Sequence, residues 1–135
     1  MRRFLLVAVG AIAVLVVAVA LFFHFGPLCG EELALEQVSP DGRYVAAWMI
    51  RNCGATTSYV HHVNLRLRTS AFHTDFMDGT ITDGEILTVP EKSGRVRFCW
   101  SGTRGLNIER PGADPGLRQL SSWHDVEITY GKVCP

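Results

Sequence analysis

Apolar side chains follow three different patterns along this chain. From residue 4 to residue 23 they run for 20 positions without a charge or strong polar group, directly after Met1-Arg2-Arg3. At ~1.5 Å per residue such a run covers roughly the 30 Å hydrocarbon layer of a bilayer, which predicts one N-terminal transmembrane helix. Residues 44–50 are apolar at every position and are closely bounded by turn signals. That run is too short for a good helix and predicts a central strand covered on both faces. Residues 59–68 alternate instead. Tyr59, His61, Val63, Leu65 and Leu67 share one face and Val60, His62, Asn64, Arg66 and Arg68 the other, the pattern of a half-solvated strand pairing antiparallel with its predecessor.

Weaker signals fill the rest. Residues 33–38 read as a modest first strand. Ser39-Pro40-Asp41-Gly42 then makes a turn in which Pro40 fixes φ, Asp41 bonds the backbone and Gly42 takes positive φ. Residues 71–82 are irregular, with Phe72, Phe76 and Ile81 expected to seek burial between the turn signals Asp78-Gly79 and Asp83-Gly84. A short strand is expected at 85–89, ended by Pro90. Residues 95–100 and 106–110 form a predicted hairpin with Val96, Phe98, Trp100, Leu106 and Ile108 inward. After a Pro/Gly loop at 111–116, one helical turn is expected at 117–123 and a last strand at 125–130. The fold class is therefore mainly β: a small antiparallel sandwich or partly open barrel after one transmembrane helix. Residues 1–28 form the anchor and juxtamembrane link, and residues 29–135 the β domain.

The N-terminus has two competing readings. Ala18-Val19-Ala20 offers a cleavage site for a secretory signal, but the apolar run exceeds the ~7–15 residues usual for one and continues into Leu21-Phe22-Phe23. Cys29 is a poor lipidation site because bulky Leu28 precedes it where a small residue is required. The retained anchor, inserted in the membrane through residues 4–23, is the leading expectation. The positive-inside rule holds Arg2 and Arg3 in the cytoplasm and places the domain outside.

Charge and cysteine content sharpen this picture. The 135-residue chain is formally neutral with 13 basic and 13 acidic residues, so without Arg2 and Arg3 the remainder is net −2. That balance argues against a nucleic-acid partner, which needs a clustered basic face. Cys29, Cys53, Cys99 and Cys134 make an even set in a domain expected in an oxidising compartment. Spacing does not choose among their three pairings. We expect Cys29–Cys53, tying the start of the domain to the loop after the central strand, and Cys99–Cys134, tying the C-terminus to the last hairpin. Each loop is worth roughly 3–4 kcal/mol in the chain-entropy model.

Chemistry is sparse. No Cys-x-x-Cys, G-x-S-x-G, H-E-x-x-H or phosphate-binding glycine motif occurs. No metal is expected, because no cysteine pair has ligand spacing and His61 and His62 point to opposite faces. His61 is expected as a hydrogen-bonded core residue, and His62, His73 and His124 on the surface or in loops. The candidate ligand loop is Asn52, Cys53, Gly54, Ala55, Thr56 and Thr57, small and hydroxyl residues following the central strand.

SPDGRYVAAWMIRNCGATTSYVHHVNL, residues 39–65, resembles a segment of a family of small, uncharacterised bacterial envelope proteins. In that family SPDG, an apolar strand, R-N/D-CGATT and a V-x-L strand recur. The likeness covers Cys29 to about Leu67 and includes Cys29-Gly30. It implies envelope location and a Cys29–Cys53 bridge, and it labels no activity. Cys99 and Cys134 are a departure from it. The expected role is a non-catalytic binding or structural module in the bacterial cytoplasmic membrane, with room for a protein partner in the envelope and without a cofactor. The alternative is an envelope enzyme or thiol-redox protein using Cys53, Thr56, Thr57 or His61.

Overall fold

The computed structural model describes residues 2–24, 28–109, 118–131 and 134. A helix, α1, runs Arg2–His24, and within it Arg3–Leu21 is long and apolar enough to cross a membrane and has none of its surface buried against the rest of the chain. Among the described residues nine strands follow: β1 Gly30–Val38, β2 Tyr44–Asn52, β3 Val60–Leu67, β4 Glu85–Pro90, β5 Arg97–Ser101, β6 Gly105–Glu109, β7 Arg118–Gln119, β8 Ser122–Trp123 and β9 Val126–Tyr130. They form two open sheets, one ordered β1-β2-β3-β4-β7 and one ordered β5-β6-β9-β8.

The fully apolar run becomes β2, flanked by β1 and β3 and paired antiparallel to both. The turn before it has the expected chemistry. Gly42 sits at φ 72°, the Arg43 amide donates to Asp41 Oδ1, and Ser39 Oγ donates to Asp41 while accepting from the Tyr44 amide. One face of the large sheet contributes Tyr44, Ala46, Val63, Leu65, Leu87 and Val89 to the core. The small sheet contributes Phe98, Leu106, Ile108, Val126 and Ile128 to the same core.

Three sequence expectations need correction. The small sheet is mixed, because β6 and β9 run parallel. A parallel pair requires a crossover, and this one visits the other sheet on the way. Of the expected helical turn at 117–123, the described part, 118–123, is not helical: Arg118–Gln119 pairs with β4, Ser122–Trp123 pairs with β9, and the Leu120 amide donates to the Ile86 carbonyl between them. Phe76 is not buried but 80% exposed. The Pro/Gly loop at 111–116 lies outside the described residues.

Both expected disulfides form, Cys29–Cys53 and Cys99–Cys134. The first joins the start of β1 to the loop after β2, and the second fixes the chain's end to β5.

Candidate functional site

The predicted half-solvated face of β3 is where the structure differs most from the alternation reading. The two faces are assigned correctly, but the second is not solvated: His62 and Asn64 are completely buried. Loop 68–84 folds across that face. An irregular segment laid over a sheet must satisfy its backbone groups without a ladder, and polar side chains from β1, β2 and β3 do this, braced by Glu85 of β4.

Register places those side chains together. Glu31 on β1 lies opposite Arg51 on β2, and Met49, two residues earlier on β2, lies opposite His62 on β3. His62 in turn lies opposite Thr88, and Asn64 opposite Glu85, on β4. Glu31 Oε1 accepts from Arg51 Nε at 2.7 Å and from the Ile81 amide at 3.0 Å. Arg51 also donates to the Ile81 carbonyl at 2.9 Å and to Glu85 at 3.3 Å. Asn64 Nδ2 donates to the Asp83 carbonyl at 2.8 Å, and Thr88 Oγ1 donates to Glu85 at 2.5 Å.

His62 is held at both ring nitrogens. Nε2 lies 2.6 Å from Glu31 Oε2, and Nδ1 lies 2.6 Å from Asn64 Oδ1. The Asn64 amide nitrogen is committed to carbonyl acceptors, so its oxygen faces the ring and Nδ1 must donate. Nε2 faces the Glu31 carboxylate. Two basic side chains, Arg51 and His62, thus meet two acidic ones, Glu31 and Glu85. Burial pushes the Glu31 carboxyl upward, but hydrogen bonds from His62, Arg51 and the Ile81 amide outweigh it and hold the group below its ordinary value. A buried cluster needs such pairing, because an unpaired charge there costs several kcal/mol.

This arrangement can lock loop 68–84 to the sheet. Both ring nitrogens of His62 are engaged, and the Glu31 and Glu85 side chains are almost wholly buried. Arg66 performs a similar task at the loop's start, donating to the Ser70 carbonyl at 2.7 Å and lying over the Phe72 ring. Among the described residues, no group of three His, Cys, Asp or Glu side chains is placed to hold a metal ion.

The predicted ligand loop lies elsewhere. Asn52, Gly54, Ala55, Thr56 and Thr57 are exposed, and Cys53 is half-buried in its disulfide. The loop is closed on itself: the Gly54 amide donates to Asn52 Oδ1, and both the amide and the hydroxyl of Thr57 donate to the Gly54 carbonyl. His61 is on the opposite, core face, buried against Trp48 with ring centroids 5.5 Å apart. Its expected hydrogen bond is not formed: Nδ1 has no partner. The structure thus brings none of the described loop residues together with His61 as a catalytic set, and it pairs every cysteine.

Sequence reasoning missed a second feature, an open groove of about 420 Å3 on the small sheet lined by Ser101, Thr103, Arg104, Asn107, Asp125 and Glu127. Outward positions of β6 and β9 supply its floor, with Thr129 Oγ1 donating to Asn107 Oδ1. Asp125 is drawn to one edge by Arg43, Arg104 and the Tyr44 hydroxyl. The alternation of β9 could have indicated the outward Glu127 and Thr129, but the parallel neighbour that completes the groove has no local signal.

No protein-family model, curated protein or solved structure matches the chain.

Proposed function

We propose that this protein is a membrane-anchored, disulfide-braced module of the bacterial envelope that binds or scaffolds rather than catalyses. In this reading residues 4–23 span the cytoplasmic membrane, Arg2 and Arg3 stay in the cytoplasm, and the β domain stands on the oxidising side. The observation that carries it is the Glu31–Arg51–His62–Glu85 cluster: its buried acidic and basic groups are spent on one another and on holding a loop. Two disulfides support the compartment. The likeness of residues 39–65 to envelope proteins supports membership of that family. Binding is assigned to exposed, rigid surfaces, the Asn52–Thr57 loop and the polar groove on the small sheet.

Alkylation of thiols in intact cells, followed by intact mass of the purified native chain before and after reduction, tests this reading. The expected species retains residues 1–28, carries no alkyl group and gains on reduction only the hydrogens that open two disulfides. A large fraction alkylated at Cys53 would favour the thiol-redox alternative, and a chain shortened after Ala20 would remove the anchor.

A further inference from the structure

Loop 68–84 has an inward side that the polar cluster holds and an outward tip that nothing in the domain covers. Phe76 is 80% exposed and Met77 77% exposed, the two most exposed large apolar side chains among the described residues after the start of β1. Single exposed apolar residues are ordinary on protein surfaces. This pair is different because the turn beneath it is firmly built and engages its own polar groups. The Asp75 amide donates to the Thr80 carbonyl and the Gly79 amide to the Asp75 carbonyl. Asp75 Oδ1 accepts from the Met77 amide at 2.7 Å. Asp78 Oδ1 accepts from the Thr80 amide and hydroxyl at 2.9 and 2.7 Å. Both carboxylates are thus engaged with the turn's own donors, while the two apolar side chains project.

The turn also has a fixed place relative to the anchor. The Cys29 amide donates to the Asp78 carbonyl at 2.8 Å, so the tip sits beside the first residues of the domain. Helix α1 ends at His24. Five residue steps separate His24 from Cys29, and they reach at most about 17 Å fully extended. Leu28, 65% exposed, lies in that short tether next to Cys29. The Cys29–Cys53 bridge brings the loop after β2 to the same end, where Tyr59 is 43% exposed and its hydroxyl meets Asn52 Nδ2. An aromatic ring with a wet hydroxyl suits the headgroup layer.

We propose that the Phe76-Met77 tip is a second membrane contact, inserted at the headgroup–acyl boundary of the bilayer that α1 spans. The occupant is the bilayer interface rather than an anionic lipid headgroup, because the tip's charged neighbours are Asp75 and Asp78 and the insertion is apolar. With Leu28 and Tyr59, the tip gives the domain a fixed face toward the membrane. The groove lined by Thr103, Arg104 and Glu127 lies on the other sheet. This proposal rests on the anchor reading given above.

The test uses the full chain in phosphatidylcholine nanodiscs with methionine methyl groups labelled for NMR. There are three methionines; Met49 is buried and serves as an internal control, and Met77→Leu assigns the third signal. Lipid carrying a spin label near its carbonyl group is expected to broaden the Met77 signal and leave Met49 sharp, in neutral and anionic discs alike. Broadening of Met77 by a soluble gadolinium chelate, with no effect of the labelled lipid, would overturn the proposal. Broadening by labelled lipid in anionic discs alone would also overturn it, in favour of headgroup recognition. Protection from the chelate in native membranes, combined with exposure in pure-lipid discs, would assign the tip to a protein and overturn it too. Flotation separates the two readings: a chain that does not float with the lipid loses the anchor and the tip contact together. A floating chain with an exposed Met77 loses only the tip contact.

Discussion

Glu31 and His62 meet at 2.6 Å across the width of β2, so the first and third strands are joined by a charged hydrogen bond beneath loop 68–84. His62 is wholly buried and Glu31 nearly so. Removing His62 leaves Glu31 to Arg51 alone, takes away the donor to Asn64 Oδ1 and unbalances the buried cluster. Replacing His62 by Leu is expected to cost about 3–5 kcal/mol, read as a lower urea midpoint by tryptophan fluorescence of the full chain in detergent. The double variant Glu31→Leu/His62→Leu is expected to lose less than the sum of the two single losses. Strictly additive losses would mean that the two side chains act independently.

The same carboxylate sets an acid limit. Glu31 is held below its ordinary value of 4.5 in the folded chain, so its contribution to stability is complete above that value. The contribution is lost as pH falls through the lower folded value. Asp41 and Asp78 are shifted in the same direction, Asp41 chiefly by the Ser39 hydroxyl and Asp78 chiefly by the Thr80 amide. Both are exposed and contribute less. Stability measured from pH 6 downward should fall more gently in Glu31→Gln than in the native chain. Parallel curves would show that Glu31 does not carry the acid response.

Gly84 makes loop 68–84 possible at its far end. Its φ is +61°, and a Cβ there would lie 1.9 Å from the Leu65 carbonyl oxygen, while its own carbonyl accepts from the Leu65 amide at 2.9 Å. Gly84→Ala adds a methyl group against backbone that cannot give way and in a conformation alanine disfavours. The expected cost is well over about 1 kcal/mol. Hydrogen exchange at the Leu65 amide should rise before exchange elsewhere in β3. An unchanged urea midpoint would contradict the close approach.

How far the sequence carried the fold depends on the range of the forces involved. The span of α1, the all-apolar β2, the Ser39–Gly42 turn and the alternation of β3 are local patterns, and the structure has them all. Both cysteine pairings formed as expected. His62 was misplaced because alternation tells which side chains share a face, not whether a distant loop covers it. The covering segment gave a misleading signal, since Phe76 reads as a core residue while the residues that secure the loop are Glu31, Arg51 and Asn64 on the sheet. The parallel pairing of β6 and β9 was equally hidden, being set by a crossover through the other sheet rather than by either strand's own residues. The candidate loop was legible as a loop of small and hydroxyl residues around Cys53, and its internal hydrogen bonds came only with the structure, whereas the polar groove depends on two strands whose adjacency no local pattern announces.

The Asn52–Thr57 loop offers a contrast between binding and stability. Thr56 is exposed, and its side chain has no hydrogen bond within the loop's closed set, which uses Asn52, Gly54 and Thr57. Thr56→Ala is expected to change stability by no more than about 0.5 kcal/mol. A larger loss would make Thr56 a structural element of the disulfide loop and remove it as a recognition residue.

The Cys99–Cys134 bridge closes a separation of 35 residues and holds the chain's end against β5. Within that span lie β6, the crossover, β8 and β9, so nearly the whole small sheet is inside the closed loop. Opening it restores conformational freedom to that segment in the unfolded state, worth about 4 kcal/mol in the chain-entropy model. The large sheet keeps its own bridge and its polar cluster. Cys99→Ser/Cys134→Ser is therefore expected to lower the urea midpoint and to raise hydrogen exchange first in β6 and β9, with the amides of β2 and β3 still protected. Simultaneous loss of protection in both sheets would show that the shared core, rather than each bridge, sets the cooperative unit.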